Sequence, residues 1–388
     1  MGAVATVPAA TARLASATPV SIRVAAIDWM RGLAMVLMVL DHASMAFDGT
    51  HMSQDSAMYA GAATMSLPAA EFATRWMTHI CAPTFVFLAG VSLALSVERK
   101  LAKGVGGWEI DKFIITRGAF IALLDPTIVS LGSGRWTLQV LFAIGLAMIC
   151  MAWLRRLPWL ALLAVGMAWF AFGELVTGLV WHPPGPSSPL AALLVGTYGS
   201  DTIVIKYPLV PWLALMAVGW AFGKHMSRNA AGATRFGSES ILWVGGLGAL
   251  ALFVAVRGAA GYGDMFLHRA DMSWQQWLHV SKYPPSLTYA ALELGLLWVT
   301  LAGLMRLEPA IGVRPNGIFL VFGQTSMFFY LVHRLAFEVP ATYFGLRGTG
   351  DLTTTYVATV ILLVAIYPAC VWYRNVKAAH PRSVLKYV

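Results

Sequence analysis

Met30 to Phe47 reads "MRGLAMVLMVLDHASMAF": nine apolar residues from Gly32 to Leu40, then Asp41 and His42 side by side, before the apolar run has ended. Extended back to Ile27, the run is long enough to cross a bilayer, for which a helix needs roughly 20 mostly apolar residues. Nine more stretches of this kind follow, at about 76–97, 113–132, 136–154, 158–181, 207–223, 239–256, 286–305, 317–338 and 354–373. Composition agrees, since 58% of the 388 residues are hydrophobic and 12% are charged. With a mean hydropathy of +0.69, the chain has too little polar surface to clothe a globule in water. It is expected to fold as an all-α polytopic membrane helical bundle of about ten transmembrane helices.

The net charge of +9 would be compatible with nucleic acid, but its distribution points to a membrane instead. Lys and Arg concentrate in the cytoplasmic loops of membrane proteins. With the N-terminus inside, ten spans leave only Arg75, Arg135, Lys206, Arg257, Arg269, Lys282, Arg334 and Arg347 of the 27 basic residues on or near the far face. Both termini are then cytoplasmic, and no nucleic-acid partner is expected. Residues 1–24 are read as a disordered cytoplasmic tail, 25–376 as the membrane domain and 377–388 as a second cytoplasmic tail. The first twenty residues lack the apolar core of a cleaved signal peptide. "MGAVAT" fits the myristoylation pattern loosely, yet a chain this deeply embedded gains little from an acyl anchor.

Cys81, Cys150 and Cys370 lie inside apolar runs without a CxxC pair and read as packing residues. No metal site is expected, because the histidines are spread over different helices without ligand spacing. Gly219 and Gly223 form a GxxxG, read as close helix packing. "DMSWQQWLHVSKYPP", Asp271 to Pro285, mixes Trp and Leu with polar residues as an interfacial helix does.

The polar residues inside the spans are the informative ones. Fourteen steps from Asp28 to His42 cover about 21 Å of helix, which puts His42 in the outer half of the bilayer. Arg75 and His79 enter with the second span, Asp125 closes the third, and His333, Arg334 and Glu338 ride the ninth, all in outer halves. An ionisable group in hydrocarbon costs on the order of 2.5–3.5 kcal/mol, so several at one depth point to a shared outward-facing cavity. Asp41 points about 100° away from His42 around the helix, so each needs its own partner, with Arg75 or Arg334 available to the Asp. A His of near-neutral pKa can serve as a general base or carry an acyl group. On the inner side, Asp28 and Arg31 can pair across one turn, and Arg117 begins the third span near a basic cluster that could hold phosphates.

The blocks "IDWMRGLAMVLMVLDH", "APTFVFLAGVSLALS", "RGAFIALLDPTIV", "YPLVPWLALMAVGWAFG", "KYPPSLTYAALELG" and "FGQTSMFFYLVHRL", in that order from Ile27 onward, resemble bacterial relatives of heparan-α-glucosaminide N-acetyltransferase, within the wider transmembrane acyltransferases. "YPLVPW" and "KYPPSL" are the specific ones. The resemblance implies an inner-membrane enzyme that takes acetyl from cytosolic acetyl-CoA and delivers it to a carbohydrate acceptor on the far side, with an outer-side His serving the transfer. His42 is the first match for that His, with Asp41 beside it. The mammalian enzyme carries its key His in the loop after the first block, where His51 stands here, so His51 competes.

Arg75, His79, His333, Arg334, Lys282 and Tyr283 are assigned to the acceptor, and Asp28, Arg31 and Arg117 to acetyl-CoA. The rival reading is a secondary transporter or flippase, which would also have ten spans and buried charge but usually shows repeated halves. Acceptor identity, acyl length and oligomeric state, a homodimer included, stay open.

Overall fold

The computed structural model describes residues 24–380 apart from 60, 62–65 and 133, together with 383 and 385. The tail 1–23 with Arg13 and Arg23, and Arg382 and Lys386, lie outside the described residues. The helices are α1 (Ala25–Phe47), α2 (Ala69–Met77), α3 (Cys81–Ala102), α4 (Gly107–Leu124), α5 (Val140–Leu154), α6 (Trp159–Gly178), α7 (Pro189–Leu194) and α8 (Leu209–Ala230). They continue as α9 (Ser238–Ala259), α10 (Trp274–Leu278), α11 (Leu287–Ile311), α12 (Ile318–Gln324), α13 (Ser326–Tyr343) and α14 (Leu352–Ala379).

Each expected span holds helix. Seven are long and apolar enough to cross a membrane, with α2 and α3 counted together, and α12 with α13 makes an eighth if that bent pair is one span. Helix α5 is short at 15 residues, and α8 ends in the polar stretch Lys224 to Asn229.

Contacts between helix ends fix an up-and-down order. At the Arg/Lys-rich face, Glu308 of α11 accepts from the backbone N–H groups of Ala25 and Ala26, at 3.2 and 3.0 Å, and so caps α1. At that face Arg155 and Arg156 after α5 bind Asp111 of α4, Lys224 of α8 binds Glu98 of α3, and Arg306 of α11 meets Glu239 of α9. At the opposite face, Asp48 after α1 bridges to Gly350 before α14.

Lipid tails are as apolar as leucine, so helices here gain from close approach rather than from burial alone. The GxxxG of α8 faces α3: a Cβ on Gly219 would lie 2.1 Å from the Phe87 carbonyl oxygen, and one on Gly223 would lie 2.7 Å from that of Val91. Gly323 is tighter still, at 1.8 Å from the Asp28 carbonyl oxygen, and seats α12 on α1.

The ninth span is broken, because α12 and α13 meet at a 93° bend. Thr325 returns its hydroxyl to the Val321 carbonyl at 2.8 Å, a bond that competes with the helical ladder, while Gly323 holds α12 against α1.

The bundle is all-α as expected, with one small sheet beside it: β1 (Trp136–Leu138), β2 (Tyr198–Gly199) and β3 (Ile203–Ile205) pair in the order β1-β3-β2. It pins the connection before α8.

Within 271–285 the first residues are exposed and the last are buried. Only α10 is helical there, and His279 to Ser286 turn inward and are buried. Arg257, fully buried at the end of α9, gathers that segment. Its guanidinium donates to the carbonyls of Trp277, Leu267, Gln276 and His279 at 3.2, 3.0, 2.6 and 2.6 Å and pairs with Asp264 at 2.9 Å. From α6, Glu174 accepts from the backbone N–H groups of Gly263 and Met265.

Candidate active site

The C-terminal end of α1, far from the Arg/Lys-rich face, carries two polar faces. On one, Asp41 accepts from Arg75 at 2.5 Å and from the Thr78 hydroxyl at 2.8 Å. Arg75 turns its Nε and Nη2 to Asp55, at 2.9 and 2.5 Å, so two carboxylates occupy one guanidinium. The fully buried His79 approaches the other Asp55 oxygen at 3.3 Å, off hydrogen-bond alignment. Burial alone would raise the Asp55 carboxyl, but Arg75 and then His79 override it and hold it well below the usual carboxylate range.

Asp55 is in place because the inward-turned segment clasps its backbone: the N–H groups of Lys282 and Tyr283 both donate to its carbonyl, at 2.9 and 3.2 Å. The Ser56 hydroxyl in turn donates to the Tyr283 carbonyl. Two Lys-Tyr-Pro sequences meet here. Lys282 and Lys206 lie 5.5 and 5.3 Å from the Tyr283 ring, and the Tyr207 and Tyr283 hydroxyls are 3.4 Å apart. Burial opposes ionisation of Tyr283, yet Lys282, Arg75 and Lys206 together draw its phenol below the ordinary value. Next to them His51 Nδ1 lies 2.9 Å from the Ser44 hydroxyl, which also reaches Asp48. Burial, aided by Arg75, pushes His51 down to about 4, so it is neutral at ordinary pH.

The other face of α1 carries His42, whose Nδ1 lies 2.7 Å from His333 Nε2, the rings stacked at 4.9 Å. Hydrogen-bond roles assign the tautomers. The Phe329 carbonyl, 2.9 Å from His333 Nδ1, can only accept. His333 Nδ1 therefore carries hydrogen, its Nε2 accepts from His42, and the lone pair of the dyad is left on His42 Nε2. Such a relay can take a proton and spread the charge.

A cavity of about 550 Å³ leads from the Arg/Lys-rich face to Met38 and Tyr330, which neighbour this dyad, while neither histidine lines it. Its wall follows α1 from Val24 to Met38, about 21 Å of helix rise. Asp28, Arg31, Arg99, Arg117 and Lys377 line one end, whereas Met38, Val140, Leu141 and Tyr330 line the other. Met38 is one turn before His42, and the Tyr330 ring stands edge-on to the His42 ring at 6.2 Å. The large cavity thus opens on the basic side, not outward as the depth of the polar groups implied, because on the outer side those groups are spent on one another.

Asp41, His42, His51, Arg75, His79, His333, Lys282 and Tyr283 are brought together at the outer end of α1. Arg334 sits beside His333 with Nη2 on Glu338 at 3.2 Å. Asp28, Arg31 and Arg117 stand at the far end of the cavity, Arg31 paired with Asp28 at 3.1 Å. Asp125 caps α5 through the backbone N–H groups of Gln139 and Phe142 at 2.9 and 2.8 Å.

Asp55, Tyr330 and Arg257 carry much of this geometry and had no motif to announce them. For Tyr330 one signal existed: it lies three residues before His333, on the same helical face.

No individual curated protein matches the chain. The family described as heparan-alpha-glucosaminide N-acetyltransferase, catalytic, matches residues 23–255, which hold α1 with Asp41 and His42, the loop with His51 and Asp55, Arg75, His79 and most of the cavity wall. The chain, a membrane bundle whose cavity reaches the neighbours of a buried histidine pair and which is matched over more than half its length, belongs to the heparan-α-glucosaminide N-acetyltransferase catalytic family.

Proposed function

We propose that the protein moves an acetyl group from cytosolic acetyl-CoA to a sugar or amino-sugar acceptor on the extracytoplasmic side of a bacterial inner membrane, with both termini in the cytoplasm. The carrying observation is the cavity that leads from a basic rim to Met38 and Tyr330, the immediate neighbours of His42. Its volume is that of a small-molecule site. The fit to the donor rests on its lining: Arg31, Arg99, Arg117 and Lys377 suit phosphates, and Arg117 Nε is buried with no partner among the described residues. The apolar stretch beyond suits a slender acyl-bearing arm, which would supply an activated thioester carbon.

In this reading His42 Nε2 accepts the proton of the attacking amine or hydroxyl. His333 stabilises the imidazolium through its own Nε2, with the Phe329 carbonyl behind it, and His42 then returns the proton to the departing thiolate. Lys282, Tyr283 and His51 are the acceptor-side groups. Arg75 and His79, engaged with Asp41 and Asp55, act as the frame that holds them.

The test is transfer from labelled acetyl-CoA, supplied on one side of proteoliposomes, to glucosamine on the other. His42→Ala is expected to abolish it and His51→Ala to weaken it; full turnover in His42→Ala removes that residue from the mechanism. The bend between α12 and α13 favours a second reading, because transporters build their sites at broken helices. Flux of unmodified sugar without acetylation would support that reading and overturn the first.

A further inference from the structure

Tyr330, His333 and Arg334 are spaced three and four residues apart and share one face of α13. His333 is committed to His42 and to the Phe329 carbonyl. The Tyr330 hydroxyl is buried with no partner among the described residues, and so are Nε and Nη1 of Arg334. The two residues are 5% and 4% exposed. Native structures rarely leave buried donors unpaired, and each exception calls for an explanation, of which a catalytic role is one. Tyr330 also belongs to the cavity wall, its ring 5.5 Å from that of His333.

Acyl transfer needs a donor where negative charge develops, and the other cations at this depth are engaged. Arg75 is held by Asp41 and Asp55, while Lys282 lies against the Tyr283 ring. With Arg334 Nη2 fixed by Glu338, Nε and Nη1 of the same guanidinium, three N–H groups, have no partner among the described residues.

We propose that the Tyr330 hydroxyl, backed by the Arg334 guanidinium, is the oxyanion hole of the transfer, a role that rests on the acetyltransferase reading. As the acceptor's lone pair forms a bond to the thioester carbon, the carbonyl π pair moves onto oxygen, and Tyr330 donates its hydrogen bond to that oxygen. His42 Nε2 takes the acceptor's proton at the same time. When the pair returns, the carbon–sulfur bond breaks, the sulfur leaves with its electrons, and His42 protonates it.

The experiment compares wild type with Tyr330→Phe, Arg334→Lys and Arg334→Gln in proteoliposomes, with glucosamine as acceptor. Loss of one oxyanion-hole donor lowers kcat by about 10²–10³ in other acyl-transfer enzymes, and Tyr330→Phe is expected in that range with the dissociation constant for acetyl-CoA unchanged. Arg334→Gln should lower kcat more than Arg334→Lys. A second readout needs no turnover: in His42→Ala protein, the infrared band of carbonyl-¹³C acetyl-CoA should shift to lower frequency on binding. That shift should vanish when Tyr330→Phe is added.

Wild-type kcat in Tyr330→Phe, or a carbonyl band that ignores the hydroxyl, overturns the oxyanion hole and leaves the acetyltransferase reading standing. A wild type that neither binds acetyl-CoA nor transfers acetyl overturns that reading itself.

Discussion

Replacing Arg257 with Met tests whether one buried guanidinium holds the inward-turned segment 264–286 in place. The side chain is fully buried, pairs with an equally buried Asp264, and donates to four backbone carbonyls between Leu267 and His279. Removing one partner of a buried ion pair leaves an uncompensated charge and costs about 3–5 kcal/mol. The four carbonyls add to this only where the segment stays dry, since each buried acceptor left unpaired costs about 1–3 kcal/mol. Water reaching the loop offsets most of that part, so the expected loss is about 3–5 kcal/mol, against a whole-protein stability of roughly 5–15 kcal/mol.

Hydrogen exchange on the full chain in micelles reads the effect locally, and denaturant unfolding reads it globally. Protection should fall through 264–286 and also in 54–56, whose backbone the same segment clasps. Arg257→Lys, which keeps the charge but not the fan of donors, should fall between Met and wild type. A loss below about 1 kcal/mol, with exchange in 54–56 unchanged, would refute the reasoning.

Two further outcomes are expected. His333→Ala removes the acceptor that sets the His42 tautomer, and kcat should drop roughly 10²–10⁴-fold, by analogy with loss of the residue that orients a catalytic histidine; a drop of less than about fivefold would show that His42 acts alone. For His51, the folded value of about 4 lies below its ordinary 6.5, so between those pH values the unfolded chain binds more protons. Its stabilising contribution is therefore present above pH 6.5 and fades as pH falls toward 4, by about 3 kcal/mol at most. Melting curves from pH 8 to 4.5 should show His51→Gln losing less stability on acidification than wild type, and parallel curves would falsify the assignment.

The membrane class and the helical character of each apolar run were legible from the chain, although seven or eight of the ten expected passes are long and apolar enough to cross, because the cost of polar groups in hydrocarbon acts on every residue of a span and leaves a pattern that needs no partner. The same cost marked Asp41, His42, Arg75, His79, His333 and Arg334 as residues with a purpose. It could not say how they pair.

That Asp41 takes Arg75 while His42 takes His333 depends on helices far apart in sequence. Asp55 and Lys282 enter only because Arg257 folds a loop inward that reads like an interfacial helix. The cavity is the clearest case: its opening toward the basic rim follows from which side chains neutralise one another at the outer end and which helices stand apart beneath. Composition and periodicity set the cost of exposing each group to lipid, whereas the choice among possible partners is made by distances of a few ångströms that exist only once the helices have packed.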